Sequence, residues 1–254
     1  MNKTLKLTRK IQVRVDLPTA EERREAIGKL YHWQSCCYRT ANLMVSHLYT
    51  QEMISDFFYL TEGLRLKLWD EKKDPDGVLN TSRINTLYQV ASKRFKGEMP
   101  NNIITCLKGS LYSEFMRYRE DYHFGERSIP NFRKDMPFPF SRDEVRQFTH
   151  KPEQKAFGFR LFGVPLNTYL GRDGSDKYHL LHRYAQDRLK LCTSQLQLKK
   201  DKIYWLPVFE FEKEKHALNP AIVAEASLSL AHPLVVKVGK KRLAIGTQEE
   251  FLHR

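Results

Sequence analysis

Shortages of cysteine, of long apolar runs and of catalytic motifs exclude several classes of protein for this chain. It has four cysteines in 254 residues, far below the density of a disulfide-stabilised secreted domain. Their positions, Cys36, Cys37, Cys106 and Cys192, also lack the Cys-x-x-Cys spacing of a zinc knuckle. We therefore predict reduced thiols and no structural zinc.

Membrane insertion and secretion are not indicated by the sequence. No stretch approaches the roughly twenty apolar residues of a membrane-spanning helix. The first six residues, MNKTLK, lack the apolar core of a signal peptide. We expect a cytoplasmic protein.

Familiar catalytic and cofactor-binding motifs are missing as well. The chain has no glycine-rich phosphate loop and no nucleophile signature built on Ser, His or Cys. Residues 171–174 (GRDG) predict a turn. His179 and His182 could be imagined as metal ligands with Cys192, but an exposed His pair on a polar helix is more common. We predict no metal and no other cofactor.

What the chain has in excess is positive charge. Forty-three Lys and Arg residues against thirty Asp and Glu give a formal charge of +13, which favours polyanionic partners. With 41% hydrophobic and 12% aromatic residues the chain can also fill a core of one or two domains. Nucleic acid is the expected partner, although ribosomal and membrane-surface proteins share this charge bias.

The first fifteen residues alternate in polarity and predict one half-buried strand. Apolar residues of one parity include Leu5, Leu7 and Ile11, and the other parity is polar. Five cations and no acid precede Asp16. The exposed face could follow a phosphate backbone; a merely solvated strand face is the alternative.

A helical region follows the strand. Thr19 is suited to cap a long helix whose apolar residues recur at spacings of three and four, with Trp33 assigned to the core. Further helices are predicted at 51–71, 81–96 and 101–122, separated by turn sequences. Their cations could line a channel for a nucleic-acid duplex; these are Arg83, Lys93, Arg94, Lys96, Lys108, Arg117 and Arg119.

The segment that ends this region interleaves cations, aromatics and three prolines. Residues 127–140 read RSIPNFRKDMPFPF, and we call them the proline-rich segment. Prolines prevent a helix and remove main-chain donors, so we predict a semi-extended segment outside the core that presents Phe132, Arg133 and Lys134. Aromatic rings can stack on bases and cations can contact phosphates. A proline-rich linker is the alternative.

The remainder of the chain predicts strands. Candidate strands lie at 157–164 and 189–198, and a hairpin turns at 199–202, with Pro207 marking an edge or a bulge. A last strand at 222–228 and a hairpin at 234–245 complete the pattern.

Residues 129–135 (IPNFRKD) resemble the Ile-Pro-Ser-aromatic-Lys-x-Asp signature of the miniature type V-F CRISPR effectors and their transposon-encoded ancestors, the TnpB proteins. The basic first strand, the helical insertion, the signature, the strand-rich return and the C-terminal strands follow that family's order from end to end. The resemblance implies an α+β fold. An oligonucleotide-binding-like β-barrel, the wedge domain, would contain an inserted helical recognition module and precede a partial RNase H-like, RuvC-type meander.

The implied domain boundaries follow the changes of period. The first strand of the wedge barrel would occupy residues 1–18, the helical recognition domain 19–124, the rest of the barrel 125–215, and an incomplete RuvC-like segment 216–254.

The resemblance also addresses nuclease activity. In the family, the strand that corresponds to residues 222–228 carries an aspartate, the first of three metal-binding acids. Ala226 occupies the position of that aspartate here. Alanine cannot bind a metal, and in a strand the neighbouring Glu225 points to the opposite face. Because the chain also stops at Arg254, before the other two acids would occur, we expect a degenerate and truncated nuclease domain and no enzymatic activity.

The leading hypothesis is a nuclease-inactive protein that binds a guide RNA and target double-stranded DNA. It would occupy DNA or recruit a partner such as RNA polymerase or a transposition factor, and so regulate transcription near the nucleoid of a prokaryotic cell. The family suggests an asymmetric homodimer. The alternatives are the N-terminal portion of an active RNA-guided endonuclease and a guide-independent basic RNA-binding protein.

Individual residues are assigned from charge, aromaticity and the resemblance. The predicted RNA-binding residues are Lys6, Lys10, Arg14, Arg172, Lys177 and Arg183. The predicted DNA-binding residues are Tyr38, Arg39, Asn42, Phe132, Arg133 and Lys134.

Overall fold

A computed structural model of the protein describes residues 4–59, 83–171, 176–212, 222–229 and 231–249. The chain divides into two compact units, one of residues 3–211 and one that joins residues 1–2 to 212–254. Within the described ranges, no helix is long and apolar enough to cross a membrane.

Within its described residues, the larger unit combines five α-helices with two antiparallel sheets. The helices are α1 (Ala20–Tyr59), α2 (Arg83–Phe95), α3 (Asn101–Arg117), α4 (Arg119–His123) and α5 (Asp176–Ala185). The strands are β1 (Thr4–Thr8), β2 (Ile11–Val15), β3 (Phe138–Phe140), β4 (Val145–Lys151), β5 (Ala156–Leu161), β6 (Val164–Tyr169), β7 (Lys190–Leu191), β8 (Ser194–Lys199), β9 (Lys202–Leu206) and β10 (Val208–Glu212).

A curled half-barrel of seven antiparallel strands forms the centre of this unit. Its strand order is β3-β8-β9-β2-β6-β5-β4, and a small sheet has the order β1-β10-β7. The mixed α+β class and the pairing of an N-terminal strand with late strands are confirmed at this level. A closed oligonucleotide-binding barrel stays a prediction.

The first fifteen residues form two strands, so the prediction of a single strand was wrong. β1 belongs to the small sheet, whereas β2 lies between β9 and β6. The change of sheet occurs at Arg9, whose N–H donates to the carbonyl of Pro207 over 3.1 Å. Pro207 separates β9 from β10 in the same way, because a residue without an N–H ends the ladder there.

Helix α1 begins as predicted and is longer than predicted. The Thr19 hydroxyl accepts the Glu22 N–H at 3.2 Å, and the Glu22 carboxylate accepts the Thr19 N–H at 3.2 Å, which is a capping box. The predicted break near residue 50 is absent, and one helix of 40 residues continues to Tyr59. The rest of the helix predicted at 51–71 lies outside the described residues.

The core lies between α1 and the inner face of the half-barrel. Apolar side chains of α1 such as Leu30 and Met44 are fully buried. Trp33 packs edge-to-face on Phe138 and Phe162, with ring centroids 6.5 Å and 5.6 Å away. The core assignment of Trp33 is therefore confirmed.

Residues 157–164 form a hairpin, which corrects the prediction of a single strand. β5 and β6 are joined by Phe162 and Gly163, whose φ angles of 50° and 85° make a two-residue turn of the type that matches strand twist. The aromatic residues of this run suggested a continuous strand. In the structure Phe162 lies in the turn, and its ring packs against the core.

Residues 189–198 also form two elements instead of the predicted strand. Lys190–Leu191 pairs in the small sheet as β7, and β8 starts at Ser194 in the large sheet. The hairpin predicted at 199–202 is confirmed, with Lys200 and Asp201 at φ 50° and 60°.

The helical region has a buried acid at its centre. Glu52 on α1 is 2% exposed and its carboxylate accepts hydrogen bonds from Arg83 on α2 and Arg119 on α4. The helix predicted at 101–122 is interrupted at Tyr118, between α3 and α4. Arg83 and Arg119 were assigned to a basic channel, and their pairing with Glu52 shows that they hold helices together.

The smaller unit contains a three-stranded antiparallel meander, which we describe by itself. Its strands are β11 (Ala224–Ser227), β12 (Leu234–Val238) and β13 (Lys241–Ile245). The hairpin predicted at 234–245 is confirmed by the β12–β13 register.

We predict that Glu52→Gln lowers the free energy of unfolding by about 1–3 kcal/mol, because two arginines lose the charge that pairs them in a buried site. Both arginines are partly exposed and can reach water, which limits the loss. Urea denaturation measures it. The control Glu25→Gln removes an exposed pair with Lys29 and should leave stability unchanged; equal effects of the two variants would contradict the role of Glu52.

Candidate nucleic-acid interface

The outer face of the half-barrel is basic because β2 alternates between its two sides. Ile11 and Val13 are buried against the core, and the intervening Lys10, Gln12 and Arg14 face outward. β2 lies in the middle of the sheet, so its cations occupy the middle of the outer face.

Two tyrosines on neighbouring strands complete this face. Gln12 lies opposite Tyr204 of β9 on one side and opposite Tyr169 of β6 on the other. The Lys10 ammonium lies 4.1 Å from the ring centroid of Tyr204, and the Arg14 guanidinium lies 4.0 Å from that of Tyr169. These five residues form what we call the aromatic platform.

The platform has the chemistry of a surface for single-stranded nucleic acid. The Tyr169 side chain is exposed and that of Tyr204 is half-buried, so parts of both rings that the cations leave uncovered can contact bases. A cation over each ring can contact the phosphate that accompanies a stacked base. Further cations on the same face are Arg160, Lys199 and Lys202.

A groove opens beside the platform. It has a volume of about 380 Å³ and lies between the start of α1 and strands β2 and β9. Arg14, Arg23, Lys202 and Tyr31 contribute to its lining. Its volume is in the range of roughly 300–1,000 Å³ typical of small-ligand sites, so it can accept one base with its sugar.

The proline-rich segment divides into an exposed part and a core strand, which corrects the prediction that none of it suits a core. Phe138 and Phe140 are fully buried in β3. β3 is an edge strand with β8 as its one neighbour in the sheet. An edge strand tolerates Pro139 because a missing N–H on its open side breaks no ladder bond.

Asn42 fixes the exposed part of the segment to α1. Its amide nitrogen donates to the Phe132 carbonyl over 2.9 Å, and its amide oxygen accepts the Phe132 N–H over 2.8 Å. Asn42 was assigned to DNA contact because no packing role was evident in the sequence. In the structure the amide nitrogen and oxygen each bond to the backbone of Phe132, and the assignment to DNA contact stays a prediction.

Gln34 performs the same function two turns earlier on α1. This side chain is 3% exposed. Its amide donates to the carbonyls of Lys134 and Leu198, each over 3.0 Å, and accepts the Leu198 N–H over 2.7 Å. The β3–β8 register would set Met136 opposite Leu198, but the chain turns away there, and Gln34 supplies the missing pair of hydrogen bonds.

Strand β8 holds the other side of the exposed part. Gln197 donates to the Asp135 carbonyl over 2.8 Å, and Lys199 Nζ lies 3.2 Å from the Asp135 carboxylate. The backbone of residues 132–135 is thus held on two sides while the side chains of Arg133 and Lys134 are exposed. The Phe132 ring is half-buried against the core, so less of it is accessible than predicted.

The remaining predicted DNA-binding residues lie on α1. Arg39 is exposed with its guanidinium 5.4 Å from the centroid of the Phe95 ring, and Tyr38 is half-buried. The structure therefore places α1 next to the proline-rich segment, so the residues predicted to bind DNA lie on adjacent parts of the chain. It does not test contact with DNA.

The predicted RNA-binding residues fall into separate groups. Lys10 and Arg14 belong to the aromatic platform, and Lys177 and Arg183 lie on α5. Arg172 lies outside the described residues. Their roles in binding RNA stay predictions.

Lys6 lies on β1, close to an acid of the same small sheet. The Cys192 thiol donates to the Glu210 carboxylate over 3.4 Å and lowers the pKa of Glu210. The charges of Lys190 and Lys6 lower that pKa further. Part of the Lys6 charge is therefore balanced within the protein.

Ala226, which stands where the resembling nucleases have their first catalytic aspartate, lies in β11. Ala226 pairs with Val236, and Glu225 pairs with Lys237. Successive residues of a strand point to opposite faces, so Glu225 is on the face opposite Ala226, next to a cation.

Sequence reasoning missed Gln34, Tyr169 and Tyr204 as parts of the interface. Apolar Ile203 and Trp205 flank Tyr204 and could have indicated that its side chain faces outward. The strand pairing that places both tyrosines beside Gln12 involves residues far apart in sequence and gave no local signal. Gln34 gave no signal, because a single glutamine in a helix is ordinary.

Comparison with known proteins finds similarity in three-dimensional structure alone. No protein-family model matches the chain, and no curated protein matches it by sequence. A Cas12f1–sgRNA–target DNA complex has a chain with a TM-score of 0.59 and 12% identity, covering 98% of this chain and 67% of that one. A CRISPR–Cas12f ternary complex gives 0.52 and 13%, covering 90% of this chain and 50% of that one.

The chain thus has a Cas12f-like fold at the level of its overall architecture. It spans about two thirds of the first Cas12f chain and half of the second. At these identities the similarity concerns the fold.

We predict that Asn42→Ala speeds tryptic cleavage after Arg133 and Lys134 several-fold, because the backbone of residue 132 loses both hydrogen bonds to α1 and opens more often. Mass spectrometry of limited digests measures cleavage at these two bonds. The control Asn85→Ala changes an exposed asparagine of α2 and should leave the rates unchanged. Equal cleavage of the wild type and Asn42→Ala would show that Asn42 does not restrain the segment.

Proposed function

We propose that this protein binds a guide RNA and uses it to bind double-stranded DNA without cutting it. The observation that carries the proposal is the Cas12f-like fold, which extends over 98% of the chain. The similar Cas12f1 structure is that of a complex with sgRNA and target DNA. In such systems base pairing reads the sequence, and the protein holds the nucleic acids by shape and charge.

The aromatic platform supports the RNA part of the proposal. Guide RNAs combine duplex stems with unpaired bases, and unpaired bases are recognised by stacking on aromatic rings. Tyr169 and Tyr204 supply the rings, and Lys10 and Arg14 supply charge for the phosphates. Lys177 and Arg183 on α5, with Lys6 on β1, would extend the RNA surface.

The α1 surface and the exposed part of the proline-rich segment support the DNA part. Arg133 and Lys134 project from a backbone that is fixed by Asn42, Gln34 and Gln197. Cations on an ordered backbone can recognise a duplex at lower cost, because little main-chain entropy is lost on binding. Arg39 and Tyr38 lie on the same helix as the two amides and would take part in inspecting the duplex.

The absence of cutting is the part of the proposal that rests on Ala226. A two-metal phosphodiester site needs several carboxylates around its ions. Alanine offers no donor atom at the position where the resembling nucleases have aspartate, and Glu225 is on the opposite face of β11, paired with Lys237. The output would then be occupancy of DNA or recruitment of a protein such as RNA polymerase, by an asymmetric homodimer as the resembling family suggests.

The first experiment is purification of the protein from cells that carry its native neighbouring DNA, followed by sequencing of the bound nucleic acid. We expect one dominant short RNA with a constant scaffold and a variable end. The reconstituted complex should bind matching DNA and leave it intact in Mg²⁺. A mixture of ribosomal and messenger RNA would refute guided binding, and Mg²⁺-dependent cutting would identify an active nuclease instead.

We predict that the double variant Tyr169→Ala/Tyr204→Ala lowers affinity for the bound RNA at least about tenfold, since each stacked base contributes about 1–3 kcal/mol. Filter binding at several salt concentrations measures it. The control Tyr169→Phe/Tyr204→Phe keeps both rings and should bind like the wild type.

A second comparison separates charge from stacking on the same platform. Lys10→Ala/Arg14→Ala should flatten the dependence of affinity on salt, because fewer counterions are released. Lys29→Ala, an exposed lysine paired with Glu25, should keep the wild-type slope. Unchanged affinity and slope in all platform variants would place the RNA elsewhere.

A further inference from the structure

Three side chains that suit a transition metal converge where α1 meets the turn between α2 and α3. His32 and Cys36 are one helical turn apart on α1, and Glu98 lies in the turn. His32 Nε2 lies 3.1 Å from Glu98 Oε2 and 3.6 Å from Cys36 Sγ. Among the residues that the structure describes, these form the one group of three His, Cys, Asp or Glu side chains with ligand atoms within 4.8 Å of one another.

Two of the three separations between the ligand atoms match those around a tetrahedral zinc ion. Zinc binds sulfur at about 2.3 Å and nitrogen or oxygen at about 2.0–2.1 Å. At tetrahedral angles, these bond lengths place nitrogen and oxygen about 3.3 Å apart and sulfur and nitrogen about 3.6 Å apart. The distances of 3.1 Å and 3.6 Å from His32 Nε2 are close to these values. The Cys36 sulfur and the Glu98 carboxylate lie within 4.8 Å of each other, so small side-chain movements would let all three surround an ion.

Hydrogen bonding alone satisfies this arrangement poorly. Both contacts of His32 use the same nitrogen, Nε2, and one imidazole N–H cannot be directed fully at both a carboxylate and a thiol sulfur. A cation between the three atoms would instead accept a lone pair from each. A set of one thiolate, one imidazole and one carboxylate binds zinc in preference to magnesium or calcium.

The ligands are held in place by surrounding packing. Cys36 is 2% exposed on a helix whose neighbouring residue Cys37 is fully buried. The Glu98 N–H donates to the Phe95 carbonyl over 3.1 Å, and the adjacent Met99 is buried. His32 and Glu98 are exposed, so the ion can enter from solvent and a water can complete its coordination.

We propose that His32, Cys36 and Glu98 form a zinc site that fastens α1 to the α2–α3 turn. Binding replaces the proton of the Cys36 thiol, which passes to solvent. The absence of paired cysteines predicted no structural zinc, whereas this site takes its third ligand from 62 residues further along the chain. The proposal does not depend on the protein's binding RNA or DNA.

The test uses the full chain, freed of nucleic acid and of metal by a chelator, and titrates it with Zn²⁺ by calorimetry and with Co²⁺ by absorption. We expect one Zn²⁺ per chain, a higher Tm with Zn²⁺, and thiolate-to-cobalt charge-transfer absorption. Cys36→Ser should abolish that absorption. His32→Gln and Glu98→Gln, which change exposed side chains and should fold normally, should each weaken Zn²⁺ binding by at least about tenfold.

Cys106→Ser is the matched control, because Cys106 is a half-buried helical cysteine whose thiol donates to the Asn102 side chain and which is not part of the His32, Cys36 and Glu98 group. It should bind Zn²⁺ and Co²⁺ like the wild type. Failure of the wild type to bind one equivalent of Zn²⁺ would overturn the proposal. Binding that is unchanged in both His32→Gln and Glu98→Gln would overturn it as well.

Discussion

Side-chain amides complete main-chain hydrogen bonds that the proline-rich segment cannot make for itself, and much of the surface around it depends on them. Its prolines remove donors, and its exposed part belongs to no sheet or helix. Buried main-chain groups that lose their partners cost about 1–3 kcal/mol each. Gln34 and Asn42 of α1 hold the exposed part, and Asn102 of α3 accepts the N–H of Ser141 just after β3 over 2.9 Å. Helices thus replace missing sheet partners.

This arrangement links the core to the surface that we assign to nucleic acid. The same helix contributes Leu30 and Met44 to the core and the amides to the segment. The backbone that carries Arg133 and Lys134 is attached to β8, and β8 is paired with β9 of the platform. The half-barrel and the helices therefore act as one support for two charged surfaces of the larger unit.

The sequence predicted features that depend on neighbouring residues and missed those that depend on distant ones. The cap at Thr19, the turn at Lys200 and Asp201 and the alternation of β2 follow from local chemistry. The break between β1 and β2 has one local sign, because Arg9 occupies the parity that is otherwise apolar. The change of sheet partners that separates the two strands is not local and could not be predicted.

Candidate site residues show the same limit. Charge and aromaticity correctly suggested that Lys10, Arg14, Arg133 and Lys134 would be exposed. The hydrogen bonds of Asn42 to Phe132 could not be predicted, because a polar residue on a helix gives no sign of the backbone it will contact 90 residues later. The roles of Gln34 and Glu52, both buried, have the same non-local origin.

The position of β2 in the half-barrel has a consequence for the order of folding. β2 is near the N-terminus, yet its two neighbours, β6 and β9, end at residues 169 and 206. Contacts between such distant residues form slowly, because a long loop must be closed first. During synthesis, we expect the centre of the sheet to wait for residue 206 to leave the ribosome, while α2 and α3 can pair earlier. A nascent chain that stops before β9 should expose the apolar face of β2, so the protein would be most prone to aggregation just before its half-barrel forms.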